Sequence, residues 1–479
     1  MENSILQRGT ETVHPNFDGA LGFGLSPFRL QLFSPMIERF FQLQAHGTDV
    51  RSEIIGGVTT FVTLSYIIFV QPAVLATTGM DAGAVLSATC VTSAFATLLM
   101  GLWANYPIAV APAMGHNFYF AFMVAGPVAA GGMGYSWRVA LGANCVAGAI
   151  FLLLSLVGLR ERLIEAIPDS LKHAIAAGIG LLISLVGFEW AGLVRRAPGT
   201  LVQLGDLHHL ATLVALGGTL LTALLVVRRN RGAILIGTLA TGVAAAVLGL
   251  VPYRGLLASP PSVVPTLGRL DVLSACRPDL VAVILVLFFL GLFDTVGTLV
   301  GVAGQAGFLE NGRLPRAREA MATDAVGTIV GTLLGTSTVT AYVESAAGVQ
   351  AGARTGLANV VTAALLLAAL FFSPLAHMAG EGVRVGEATL YPIVAPALIL
   401  VGGFMVRGIG RIDLADPPPA FASFVTMLTM PFTFSITEGI AFGFIAYVLL
   451  MLGAGRGREV HPLLYLFAGL FVIRYVYLT

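Results

Sequence analysis

Long apolar runs separated by short polar or charged stretches recur from residue 54 to residue 453. A helix needs about 20 predominantly apolar residues to cross a bilayer. On that measure the first half predicts segments near 54–77, 86–103, 113–126, 138–159, 170–193, 208–227 and 232–251. The second half predicts 279–304, 322–336, 343–351, 356–373, 388–406, 418–431 and 434–453. Between the two sets lie residues 252–278, rich in proline and serine and only weakly apolar. The expected organisation is a cytoplasmic N-terminal segment, 1–47, a membrane domain, 48–453, and a tail, 454–479. Within the membrane domain, 48–251 forms a first repeat, 252–278 a linker and 279–453 a second repeat. Residues 28–44 read as a short amphipathic helix on the membrane surface, and no cleavable signal peptide is expected. Residues 461–479 are apolar but contain Arg474, which suits either the membrane interface or packing on the bundle.

Two segments depart from the pattern of ordinary spans. Asn105-Tyr-Pro-Ile-Ala-Val-Ala-Pro112 carries two prolines around an extended-looking stretch, and Met114-Gly-His-Asn117 then opens a helix. Prolines so placed break a membrane helix. In the second half Thr336-Ser-Thr-Val-Thr-Ala-Tyr-Val343 is dense in β-branched residues, and Glu344-Ser-Ala-Ala-Gly opens a helix. Asn117 follows Ile54 by 63 residues and Glu344 follows Leu280 by 64, so the same interruption falls at the same place in each half. Paired interrupted segments point to the substrate site of an inverted-repeat transporter, where half-helices end near the midplane. Non-helical backbone survives at that depth only if it is buried or lines a cavity. The Gly/Thr run 327–340 reads as close helix packing of the small-residue kind.

Composition places the chain firmly in the bilayer: 57% of its 479 residues are hydrophobic, 11% are charged, and the mean hydropathy is +0.88. Soluble domains carry roughly 25% charged residues. A net charge of +1 excludes the clustered basic face of a nucleic-acid partner. Cys90, Cys145 and Cys276 are far apart and read as small core residues rather than a disulfide or metal framework. Arg160, Arg162 and Lys172, Arg228, Arg229 and Arg231, Arg313, Arg316 and Arg318, Arg407 and Arg411, and Arg456 and Arg458 all fall on one side of the expected topology. Short loops rich in Lys and Arg stay cytoplasmic. Both ends of the repeat domain are therefore expected inside; Arg195 and Arg196 fall on the other side. His208 and His209 sit at a loop edge, where a structural role is expected.

Two carboxylates remain inside apolar, glycine-rich text, Asp294 and Glu344. An acid at membrane depth costs at least about 2.5 kcal/mol, so it marks a functional site by default. A carboxyl group accepts two N–H groups when ionised, or donates one hydrogen bond and accepts another when protonated. Such an acid can therefore recognise a planar polar ligand and carry a coupling proton. A catalytic acid pair in a membrane-embedded enzyme is the competing reading, but HExxH, G-x-S-x-G and G-x-G-D are all missing from the chain.

The strings E-I-I-G-G-V-T-T-F-V-T-L-S-Y-I-I-F-V (53–70), A-N-Y-P-I-A-V-A-P-A-M-G-H-N (104–117), L-F-D-T-V-G-T-L-V-G-V-A (292–303) and Y-V-E-S-A-A-G-V (342–349) carry a resemblance. Over residues 48–463 the chain resembles the nucleobase:cation symporter-2 family, in its adenine/guanine/hypoxanthine permease branch. The resemblance implies an all-α polytopic fold of fourteen segments in a seven-plus-seven inverted repeat, with short antiparallel strands in segments 3 and 10. It implies a core from segments 1–4 and 8–11, a gate from segments 5–7 and 12–14, and import of a purine nucleobase across the cytoplasmic membrane by alternating access. By the same resemblance Glu344 hydrogen-bonds the base, Asp294 binds substrate and helps couple the proton, and Asn117 takes part in purine recognition, with Gly115 two residues before it. Ala113, His116, Ser345, Tyr342 and Phe118 complete the expected binding set, and Thr295, Thr298 and Thr340 stand behind it. Asn117 would orient Glu344 or touch the base, and Phe118 and Tyr342 either stack on the purine or serve as packing. Four positions differ from the family pattern: Ala113 for glycine, His116 for leucine, Gly291 for aspartate and Gln71 for asparagine. His116 has two readings, a proton relay or purine contact, or a histidine facing a neighbouring helix and bonded to a carbonyl. No cofactor beyond the coupling ion is expected. The sequence leaves open proton or sodium, adenine, guanine, hypoxanthine or another cyclic amide, and monomer or homodimer. A sulfate-transporter-like anion carrier shares this fold, but Asp294 and Glu344 would repel an anion.

Overall fold

The computed structural model describes residues 37–157, 168–197, 200–308, 314–386 and 388–477. Residues 37–41 are helical within a small unit that ends at Gln42; the rest of the expected surface helix, 28–36, lies outside the described residues. Arg160, Arg162 and Arg313 lie outside them as well.

Every apolar run of the sequence contains a helix. The first run is two helices, α1 (Val50–Leu64) and α2 (Ile67–Ala76), joined by a step at Ser65 and Tyr66. After them come α3 (Ala82–Leu99), the short α4 (Met114–Phe118), α5 (Trp137–Val157), α6 (Asp169–Trp190), α7 (Leu210–Val227) and α8 (Ala233–Val247). The second half supplies α9 (Val281–Ala306), α10 (Ala317–Leu334), the short α11 (Ser345–Gln350), α12 (Leu357–Ala368), α13 (Ser373–Gly380), α14 (Ala395–Val406), α15 (Pro417–Thr433) and α16 (Ile436–Gly453). Eight stretches of described residues are long and apolar enough to cross a membrane. The helices of the two interrupted segments, α4 and α11, are far too short to cross alone.

Three pairs of strands interrupt this helical chain. β1 (Val110–Pro112) pairs antiparallel with β4 (Val339–Ala341), in the two segments where the sequence broke. The other two pairs were not expected. β2 (Val194–Ala197) and β3 (Thr200–Leu204) form a hairpin after α6, which holds Arg195 and Arg196 on exposed backbone outside the helices. β5 (Val383–Val385) and β6 (Ala388–Leu390) form another, so the segment placed at 388–406 is helical only from Ala395. Gly386 turns this hairpin at φ +61°, and Pro392 disfavours helix in the residue before it.

Packing sorts the helices into two sets. In the first, α1 lies on α11 and α12, α3 on α2, α10 and α12, and α5 on α9 and α10. In the second, α6 lies on α14 and α15, α15 on α16, and α7 on α8 and α14. Small residues permit the closest crossing: a Cβ on Gly180 would lie 2.6 Å from the carbonyl oxygen of Gly402, and one on Gly402 2.4 Å from that of Gly180. The linker crosses the end of α10, where Thr266 Oγ1 donates to Leu334 O at 2.8 Å and Gly268 N to Leu333 O at 2.7 Å. The tail forms α17 (Pro462–Tyr477), which packs on the bundle through Phe467, 4.6 Å from Phe289 between ring centres, and a Tyr475–Glu438 hydrogen bond. Cys90 is buried and Cys145 half-buried; Cys276 is exposed in the linker, so it is not a core residue.

Candidate functional site

A two-stranded sheet at membrane depth leaves two outer edges of backbone groups, and hydrocarbon cannot satisfy them. The protein solves this twice over with one device. On β1, Thr97 Oγ1 donates to Val110 O and accepts from Val110 N, both at 3.0 Å. On β4, Thr328 Oγ1 donates to Val339 O at 3.1 Å and accepts from Val339 N at 3.2 Å. Val110 and Val339 stand at opposite ends of the ladder, so the two threonines are related by the pseudo-twofold of the repeat. The next edge donor differs. Ala341 N donates to Asp324 Oδ2 at 2.9 Å, whereas the matching residue of the first half is Pro112, which has no N–H to satisfy. Asn359 Nδ2 reaches Ile108 O at 2.9 Å and Tyr106 O at 3.0 Å, and Ser345 Oγ accepts from Ala109 N at 2.9 Å.

On this rigid frame sit the two acids. Asp294 projects from α9, half-buried, and accepts from Thr340 Oγ1 of β4 at 3.2 Å. Glu344, four residues further along the same strand segment, caps α11, is half-buried, and accepts from Tyr66 Oη at 2.8 Å. The two carboxyl groups are electrostatic neighbours. Neither takes part in a salt bridge among the described residues. A carboxylate offers about four acceptor positions, so each acid keeps capacity for a ligand or a proton after its one side-chain bond.

The remaining expected site residues separate into those near the acids and those elsewhere. Thr340 touches Asp294 directly. Thr295 is fully buried and lines a void of about 10 Å³ together with Gly291, Thr338 and Thr340. Thr298 is buried on the same helix. Tyr342 is buried with its hydroxyl on Pro112 O. The Oδ1 of Asn117 accepts from Ser337, whose hydroxyl also accepts from Gln71 Nε2 at 3.1 Å, in a buried knot that includes Thr336. Phe118 stacks on Phe122, 5.5 Å between ring centres, in an aromatic cluster with Trp190 and Phe434. Ala113 donates its N–H to Thr338 O at 3.0 Å and extends the sheet, while a Cβ on Gly115 would lie 3.1 Å from Ile179 of α6. Ser345 is spent on Ala109.

His116 is buried against α9, its Nε2 3.3 Å from Leu287 O and 3.6 Å from where a Cβ on Gly291 would stand. Two of the departures from the family pattern therefore lie side by side, with room at Gly291 for a Cβ in ordinary contact with the imidazole. His209 caps α7 by accepting from Ala211 N. Several residues that hold the site were not singled out in the sequence. Tyr66 needed the pairing of distant segments to be seen. Asp324 carried the same signal as Asp294, an acid in an apolar run, and was hidden by the charged flank Arg316, Arg318 and Glu319. Glu53 is fully buried and accepts from Arg354 N, Thr355 N and Ala358 N, which fastens the start of α1 to that of α12.

Membrane-length helices in two repeated halves, joined through a crossed strand pair with a half-helix behind each strand, define a multi-pass transporter of inverted-repeat type. Solved structures of similar fold are the transmembrane domain of the cyanobacterial bicarbonate transporter BicA and the overall structure of SLC26A9. The first has a TM-score of 0.58 at 18% identity and covers 83% of this chain and 97% of that one. The second has a TM-score of 0.58 at 11% identity and covers 89% and 68%. Residues 51–442 match the model of the Permease family, Xan_ur_permease. A putative permease of Methanocaldococcus jannaschii is 45% identical over 92% of this chain and 99% of its own. The guanine/hypoxanthine permease PbuG of Bacillus subtilis is 43% identical over 92% and 99%, and the adenine permease AdeP of Escherichia coli 40% over 92% and 96%. The chain belongs to this permease family, the nucleobase:cation symporter-2 family, and is a transporter rather than an enzyme.

Proposed function

We propose that the protein imports a purine nucleobase across the cytoplasmic membrane by proton symport. The observation that carries this reading is the pair of half-buried acids, Asp294 and Glu344, each with one side-chain hydrogen bond and spare acceptor capacity, held at the end of β4. The relatives named for guanine, hypoxanthine and adenine supply the ligand class. Glu344 receives the N–H donors of the base edge. Asp294 takes the coupling proton from outside and releases it within, and Thr340 ties its state to the strand that carries Glu344. The helix set containing α1 and α9 acts as the core and the set containing α6 and α14 as the gate, with Gly115 against Ile179 at their sliding contact. Both ends of the repeat domain face the cytoplasm.

Uptake of labelled hypoxanthine in cells lacking their own purine permeases tests the proposal. Expected are saturable uptake, competition by unlabelled guanine or adenine, a fall as external pH rises, and collapse with a protonophore. No uptake of any purine removes the substrate assignment. Uptake that follows external sodium and ignores the protonophore removes the proton.

A further inference from the structure

The C-terminal half of α1 turns one face to α11. A Cβ on Gly56 would lie 3.0 Å from Gly348 O, and one on Gly348 2.6 Å from Gly56 O and 2.0 Å from Thr60 Oγ1, so the two helices cross closely at a pair of glycines. One turn further on, Thr63 Oγ1 donates within α1, to Thr60 O at 2.9 Å and Thr59 O at 3.0 Å, and only stands near the backbone oxygen of Glu344 at 3.3 Å. At the step into α2, Tyr66 Oη is 2.8 Å from Glu344 Oε1, and the tyrosine is 2% exposed. Positions 56, 60 and 63 fall on one helical stripe, and the step places position 66 in line with it. The first span thus packs closely on the helix that Glu344 opens and holds its carboxyl group through Tyr66.

We propose that Tyr66 is a positioning and specificity-determining residue for base recognition. This rests on the reading of Glu344 as the base acceptor. The phenol O–H commits Oε1 and fixes the direction of the carboxyl plane, which leaves Oε2 as the acceptor presented to the ligand. A glutamate head without that bond rotates freely about its terminal torsion and must be ordered by the ligand itself. The consequence differs between bases. Hypoxanthine offers one N–H on its pyrimidine-ring edge beside the C6 carbonyl, and depends on an oxygen that is already aimed. Guanine offers two adjacent donors, N1–H and the N2 amine, and can order a free carboxylate by a bidentate contact. Tyr66 therefore favours the single-donor base, and its loss shifts preference toward guanine.

The test is Tyr66→Phe, which removes one oxygen and keeps the ring, assayed by uptake of labelled hypoxanthine and guanine with protein abundance in the membrane measured alongside. The KM for hypoxanthine is expected to rise about tenfold, the size of one hydrogen bond to a charged acceptor. Its maximal rate should stay within about twofold, and the KM for guanine should rise no more than about threefold. If Tyr66→Phe does not accumulate, Tyr66→Met decides by the same pair of constants, and an equal change for both bases overturns the proposal. Unchanged KM for both bases in Tyr66→Phe overturns it, and so does an equal loss for both with a matching fall in maximal rate, which marks a purely structural tyrosine. A wild-type protein that takes up neither base overturns the functional reading itself, and this inference with it.

Discussion

Thr328→Val is the substitution that most directly tests how a sheet persists at membrane depth. The change is isosteric, so packing against Gly148, whose added Cβ would sit 2.9 Å from Thr328 Cγ2, is kept. What disappears is the hydroxyl that serves both the N–H and the C=O of Val339, a residue 1% exposed. Each backbone group left unpaired in a buried site costs about 1–3 kcal/mol. No water is at hand in hydrocarbon to replace the lost partner. The expected destabilisation is thus about 2–6 kcal/mol, large against the 5–15 kcal/mol typical of a folded domain. Thr328→Ser retains both bonds and loses only a methyl group, about 1 kcal/mol. The assay is thermal unfolding of detergent-purified protein followed by loss of the monodisperse peak. The valine variant should melt well below the serine variant and wild type, and Thr97→Val should behave in the same way on β1. A valine variant that melts with the serine variant would show that the strand edge is satisfied by other means, and the account of the frame would fall.

Three further outcomes follow from the same packing. Asp324→Asn keeps an oxygen for Ala341 N and should cost little, whereas Asp324→Leu removes the acceptor and should cost about 1–3 kcal/mol in the same melting assay; equal effects would mean that the charge itself is needed. Gly348→Ala drives a methyl to 2.0 Å from Thr60 Oγ1 and 2.6 Å from Gly56 O, so overpacking of about 1–3 kcal/mol is expected, with base affinity falling as Glu344 is displaced. At the junction of α16 and α17, Arg456 bonds both oxygens of Glu459 and holds its carboxyl below the usual glutamate value of 4.5. A depressed acid stabilises the folded form above its unfolded pKa and loses that contribution as pH falls through the folded value. Cleavage of this exposed junction by an acid-active protease should therefore rise only below about pH 4.5, and Arg456→Ala should abolish that pH dependence.

Hydropathy marked the helices because burial in lipid demands long apolar runs, and the prolines at 107 and 112 marked the first break. Asp294 and Glu344 stood out because an acid in such a run is costly, although Asp324 shows that the same signal also marks an acid that holds a strand edge. Two kinds of feature escaped. Hairpins such as β5–β6 lie in short mixed stretches, where neither the helical nor the two-residue period can establish itself. Contacts between segments far apart in the chain, such as Tyr66 with Glu344, Thr97 with Val110 or Glu53 with α12, leave no local trace at all. Asn117 illustrates the reverse failure. Its position matches Glu344 in the repeat, yet the repeat relates backbones, and the hydrogen bond of its side chain to Ser337 could not be read from that match.

The central claim is that Glu344 and Asp294 divide recognition and coupling between them. Uptake of labelled hypoxanthine by Glu344→Ala and Asp294→Asn, compared with wild type at two external pH values, tests it most directly. The account predicts that Glu344→Ala loses affinity for the base, whereas Asp294→Asn still exchanges base across the membrane but no longer accumulates it against a gradient or responds to pH. Normal affinity in Glu344→Ala, or pH-driven accumulation in Asp294→Asn, would contradict it.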